Sequence, residues 1–201
     1  SLGSDPSVTD NVWTATYTDL PVNYREVARY AGCTVDTLPE RTEALIREAG
    51  SVNGKVCWVI RPLTTAGNEL CFSGIRSGSE DLKKCLQGCD RVILFAATAG
   101  FGVDRLIQKY ERISPASALL LQAYGAERAE AVCDAFNRDM ALRYGKLRPR
   151  YSPGYGDLPL ELQKDIFTVL RPYEHIGITL NDSMLMLPSK SVTAIIGIPK
   201  E

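Results

Sequence analysis

Residues 148–157 read Arg148-Pro149-Arg150-Tyr151-Ser152-Pro153-Gly154-Tyr155-Gly156-Asp157. Prolines fix some of the backbone angles and glycines permit unusual ones, so the segment is suited to holding one shape. Arg150 offers a planar fork that matches a carboxylate or a phosphate. Tyr155 could stack on a purine or close a pocket. With Arg143, Lys146 and Arg148, four basic residues fall between positions 143 and 150. The same residues also suit a solvated loop after a helix, where cations complement the helix dipole. A second candidate is Ala96-Ala97-Thr98-Ala99-Gly100-Phe101-Gly102-Val103-Asp104-Arg105, placed after an apolar run and before a helical one. Its glycines would let backbone N–H groups approach an anion, or simply make a tight turn. The spacing is not G-x-G-x-x-G, so it carries no dinucleotide signature. Glu130, flanked by Ala129 and Ala131, faces either a site or water. The stretch from Leu180 to Val192 carries no chemistry by spacing alone.

Other chemistries are disfavoured. His175 is the only histidine, and no CxxC pair exists to complete a zinc site. Cys85 and Cys89 are four apart, which would place them on one helical face. No third cysteine follows to make a CxxxCxxC radical motif. His175 has Tyr173 two residues before it, so the D-x-H-x-x-G pattern that supplies a cobalt-ligating histidine is absent. No nucleophile elbow accompanies His175.

The chain that must position these residues has 201 residues, 45% of them apolar and 23% charged, with net charge −1. One domain over 1–201 is expected, with 1–20 flexible or peripheral. The charge balance disfavours a nucleic-acid partner, and no apolar run reaches the roughly 20 residues a membrane helix needs. The polar start SLGSDPSVTD lacks a secretory pattern. The six cysteines therefore read as reduced thiols of a cytoplasmic protein, with Cys57, Cys71 and Cys133 among apolar neighbours.

Helices are expected over 23–31, ending at Gly32, and over 39–49, with Pro39 in the first turn. Further helices are expected over 80–87, capped by Ser79, and over 103–112. A long helix should run from Pro115 to about Tyr144, with a break near Gly125, and another from Asp157 or Pro159 to Leu170. Strands are expected at 56–60, 70–73, 92–97, 178–180 and 192–196. Helices and strands mix without strict alternation, which points to an α+β fold.

Taken together, these segments resemble the activation, or reactivation, domain of vitamin B12-dependent methionine synthase in a stand-alone form. Arg150 to Tyr155 fits that family's R-x-x-x-G-Y pattern. His175-Ile176-Gly177-Ile178-Thr179-Leu180-Asn181-Asp182-Ser183 is similar to its H-T-G-x-x-L-T-E-S, and Met186, Pro188, Ser191 and Val192 match the M-x-P-x-x-S-V continuation. Arg25 to Gly32 and Phe95 to Gly100 look like the small stand-alone members. The resemblance spans residues 24 to 197.

It implies a twisted, mainly antiparallel sheet with flanking helices. It also implies an S-adenosylmethionine site made by Glu130, Arg150, Tyr151, Gly154 and Tyr155, with Arg150 on the ligand carboxylate and Glu130 accepting from a ligand donor. No general base is implied, because methyl transfer to cobalt moves no proton; the protein contributes positioning. The implied role is support for reductive reactivation, by methylation of cob(II)alamin, without catalysis by this chain alone. The implied partners are a cobalamin-binding methionine synthase lacking its own activation domain, which brings the cobalamin, and a flavodoxin or ferredoxin-like reductant. Two departures stand out: Asn181-Asp182 replaces Thr-Glu, and the sequence ends at Glu201 where the fused domain continues to a further ligand-contacting tyrosine. They leave an alternative, a docking module for a corrinoid protein that has lost the ligand.

Overall fold

The apolar run Val92–Ala97 lies at the centre of β6 (Cys89–Thr98), and all six of its residues are buried. A strand that is apolar on both faces must be covered on both. β6 pairs antiparallel with β2 (Gly54–Pro62) on one side and β9 (Ser191–Pro199) on the other. β1 (Thr9–Tyr17) pairs antiparallel with β2, so the main sheet runs β1-β2-β6-β9. The computed structural model describes residues 9–201. The expectation for the first eight residues lies outside the described residues. The rest of the segment that sequence reading left peripheral is this edge strand, tied down by Trp13 edge-on to Trp58 at 5.8 Å. The Tyr17 hydroxyl adds a hydrogen bond to Asp139 at 2.8 Å.

One face of the sheet is covered by α5 (Pro115–Tyr144), whose 30 residues span about 45 Å. Its Val132, Cys133, Phe136 and Met140 pack on Trp58, Ile93, Phe95 and Ile196. Ser114 caps the helix start by accepting from the Ser117 N–H, and Gly145 ends it at φ +77°. The break expected near Gly125 does not occur. A Cβ there would lie 2.7 Å from the Lys190 side chain, so the glycine makes room for that lysine, whose ammonium donates to Gln122 at 2.5 Å.

The other face is covered by a small sheet of β3 (Thr64–Ala66), β4 (Glu69–Phe72) and β5 (Ile75–Ser77), with α3 (Glu80–Cys85), α6 (Leu162–Leu170) and α7 (Pro172–Ile176) beside it. Ser79 caps α3 as expected, accepting from the Leu82 N–H at 3.0 Å. The helix ends at Cys85 and Cys89 opens β6, so the two thiols do not share a helical face. Cys57 and Cys133 are fully buried and Cys71 is half-buried.

A third apolar cluster joins α1 (Tyr24–Ala31), α2 (Thr42–Ala49) and α4 (Gly102–Ile113) to the first half of α5. Gly32 ends α1 in the left-handed conformation, as its position predicts. Pro39 precedes α2 rather than opening it, and its carbonyl accepts from the Thr42 N–H at 3.0 Å. Thr179–Leu180 (β7) and Met186–Leu187 (β8) form a short hairpin before β9. The architecture is the mixed, antiparallel α+β arrangement expected from the sequence. Among the described residues, no helix is long and apolar enough to cross a membrane, and no group of three metal-ligating side chains comes together.

Candidate functional site

Tyr151 forms an antiparallel bridge with Ile195, its N–H donating to the Ile195 carbonyl at 2.9 Å and its carbonyl accepting at 2.8 Å. The segment after α5 thus runs along the free edge of β9, with the Arg148 N–H donating to Gly197 at 3.0 Å. Neighbouring side chains on extended backbone point to opposite faces. Arg150 accordingly reaches the α5 face, and Tyr151 packs among the residues of the other face.

Arg150 meets two acids one helical turn apart on α5. Its Nη2 donates to Glu130 Oε2 at 2.5 Å, and its Nη1 to Asp134 Oδ1 at 2.9 Å. With its amide turned so that the nitrogen faces the Cys133 carbonyl, Asn137 adds an acceptor 3.2 Å from Nη1. The guanidinium is only 20% exposed, while the side chains of Glu130 and Asp134 are 37% and 55% exposed. Burial disfavours the Arg150 cation, but its bonds to the Asp134 and Glu130 carboxylates outweigh it and raise its pKa.

Glu130 and Asp134 also line a cleft of about 240 Å³ between α5 and the segment that leads into α1. Leu20, Pro21 and Asn23 form one wall, and Glu26 and Arg138 also line it. That wall is fastened by a buried pair. Arg128 Nε donates to Glu127 Oε1 at 2.5 Å, and its Nη2 to Glu127 Oε2 at 2.8 Å. Its remaining donors reach the carbonyls of Leu20 and Pro21 at 2.8 and 2.9 Å, and the Asn23 N–H donates to Glu127 at 3.2 Å. Tyr30 stands at the rim, its hydroxyl pKa raised by burial and then by the Glu130 charge, with the Arg29 guanidinium 4.5 Å over its ring.

The bend after Tyr151 is held rigidly on the opposite face. Gly154 has φ +95°, and its N–H donates to Leu158 at 2.9 Å. A Cβ at Gly156 would collide with the Asp81 carboxylate and the Tyr151 hydroxyl. Asp157 does not begin α6. Its carboxylate instead accepts from the Ser79 hydroxyl and from the N–H groups of Glu80 (2.8 Å) and Asp81 (3.2 Å), and its own N–H donates back to Asp81 at 3.0 Å. These bonds, the Ser79 hydroxyl first, hold the Asp157 carboxyl below the usual aspartate range. Tyr155 is 63% exposed, and its ring lies 6.1 Å from that of Tyr151.

The five residues implied by the motif therefore fall into two groups. Arg150 and Glu130 touch on the α5 face, while Tyr151, Gly154 and Tyr155 form the bend that follows on the chain. Asp134 and the Glu127–Arg128 pair escaped sequence reading. Asp134 follows Glu130 by four residues, a spacing that puts both on one helical face. In the Gly100–Gly102 turn the Gly100 N–H donates to the Thr98 hydroxyl at 3.1 Å, and Asp104 at the start of α4 takes the Ser189 N–H at 2.7 Å and its hydroxyl. A larger cleft of about 550 Å³ lies elsewhere, between the β3–β4 hairpin and the Gly88 turn, and shares no residue with this site.

No family model and no curated protein matches the chain. Among solved structures it is similar to one described as the crystal structure of the MetH reactivation domain bound to AdoHcy. The TM-score is 0.67 at 14% identity, over 98% of this chain and 82% of that one. An identity this low speaks to architecture alone. In architecture, the chain has the fold of the MetH reactivation domain.

Proposed function

We propose that this protein is an S-adenosylmethionine-binding module that supports the reductive reactivation of a cobalamin-dependent methionine synthase. The observation that carries the reading is Arg150 paired, on this fold, with Glu130 and Asp134, two acids that line a cleft. S-adenosylmethionine supplies an electrophilic methyl on a sulfonium, together with a carboxylate and an ammonium. Arg150 is the partner for that carboxylate, through a charge-assisted fork. Glu130 is an acceptor for a ligand donor, and the surrounding acids favour a ligand that is positive overall. At about 240 Å³ the cleft takes the amino-acid end of such a ligand. The cobalamin comes with a partner methionine synthase in the cytoplasm, and the electron from a flavodoxin or ferredoxin-like protein.

Titration calorimetry with S-adenosylmethionine tests the reading. Wild type should bind, and Arg150→Ala should bind about 10- to 100-fold more weakly while keeping its fold, as expected for loss of hydrogen bonds to a charged group. Absence of heat, together with an unchanged melting temperature at millimolar ligand, would sink it. The pairing of Arg150 within the chain favours a second reading, a docking module without ligand. That reading expects the protein to bind a cobalamin-loaded partner equally well with and without S-adenosylmethionine.

A further inference from the structure

The two acids on Arg150 are not equivalent. Glu130 makes the shorter contact, 2.5 Å against 2.9 Å, and its side chain is the less exposed, 37% against 55%. Asp134 therefore loses less when it parts from the guanidinium, because most of its carboxylate is already in water. It also lines the cleft, so on parting from Nη1 it stays at an open, solvated wall. Asn137 remains beside Nη1 when Asp134 leaves, so the guanidinium keeps an acceptor on that arm.

From this asymmetry we infer that Asp134 is a built-in rival of the ligand carboxylate for Nη1 of Arg150. The inference rests on the S-adenosylmethionine reading above. Without ligand, Asp134 closes on Arg150. With ligand, the incoming carboxylate takes that arm and Asp134 turns to water. The affinity contributed by the ligand carboxylate is then its surplus over Asp134, smaller than a free arginine would give.

The test compares S-adenosylmethionine with decarboxylated S-adenosylmethionine, which keeps the ammonium and the sulfonium and lacks only the carboxylate. Calorimetry gives the ratio of the two dissociation constants in wild type and in Asp134→Asn. Removing the rival should raise that ratio about threefold to fivefold, the worth of an exposed ion pair. Asp134→Ser, too short to reach Nη1, should raise it as well. A general change in cleft charge acts on both ligands alike and largely cancels in the ratio. An unchanged ratio in both folded variants, with wild type binding both compounds, overturns the role of Asp134 and leaves the ligand reading standing. Failure of wild type to bind S-adenosylmethionine overturns both.

Discussion

Arg128→Met should be among the most damaging single substitutions in this chain, and the damage should reach the cleft. The side chains of Arg128 and Glu127 are 5% and 1% exposed. The substitution strands the Glu127 carboxylate out of reach of water and leaves the carbonyls of Leu20 and Pro21 without their donors. Breaking a buried pair by removing one partner costs about 3–5 kcal/mol. Total stabilities are about 5–15 kcal/mol, so roughly a fifth or more of the fold's margin is at stake. The fall in melting temperature should be on the order of 10 °C for a chain of this size. Urea unfolding followed by fluorescence of Trp13 and Trp58 measures the loss. The double variant Glu127→Gln/Arg128→Met removes the stranded charge and keeps an acceptor for the Asn23 N–H. It should regain about 2 kcal/mol over the single variant. A loss under about 1 kcal/mol, or a double variant no more stable than the single, would show that the pair is not what fastens the Leu20–Asn23 wall.

Two other expectations follow from titratable groups. The Asp157 carboxyl is held below the usual aspartate range, so its stabilising contribution is complete above the unfolded pKa of about 3.9 and drains away as the pH falls through the folded value. Wild type should therefore lose stability more steeply than Asp157→Asn on acidification below about pH 4; parallel curves from circular-dichroism melts would refute the capping role. Burial pushes the Cys57 and Cys133 thiols up to about 12, so both should resist a disulfide reagent at pH 8 until the protein unfolds. Rapid labelling of either in the native state, read by mass spectrometry, would contradict their placement in the core.

The elements that announced themselves did so through local chemistry. Val92–Ala97 is apolar without interruption, Gly32 sits where a left-handed cap is needed, and Ser79 and Pro115 mark helix starts whose partners lie within a turn. What local chemistry could not show depends on distant partners. Thr9–Tyr17 is a strand because β2 offers an edge and Trp58 a ring to pack on. Gly125 stays helical because Lys190, 65 residues on, fills the space beside it. Asp157 looked like a helix start and serves one, but that of α3, which begins 77 residues earlier. In the site, the family resemblance implied Arg150 and Glu130 each as a ligand contact, and their direct pairing was not foreseen. Asp134 was within reach of helical periodicity. The adjacent Glu127-Arg128 was not, because neighbouring opposite charges on a helix point apart in most settings and are ordinarily solvated.

That contrast decides how the two arginine–carboxylate sets near this cleft should be understood. Arg128 spends its donors on a single buried carboxylate and two backbone carbonyls, and none of those partners is replaceable by a ligand without opening the wall. Its pairing is architecture. Arg150 is held on separate arms by two acids whose side chains remain 37% and 55% exposed. A ligand carboxylate makes the same kind of charge-assisted bond, and an acid that exposed is readily rehydrated when it is displaced. The internal engagement of Arg150 is thus a weak argument for a module that has given up its ligand. A guanidinium kept charged by two acids that line an open cleft is what an amino-acid carboxylate can claim by exchange.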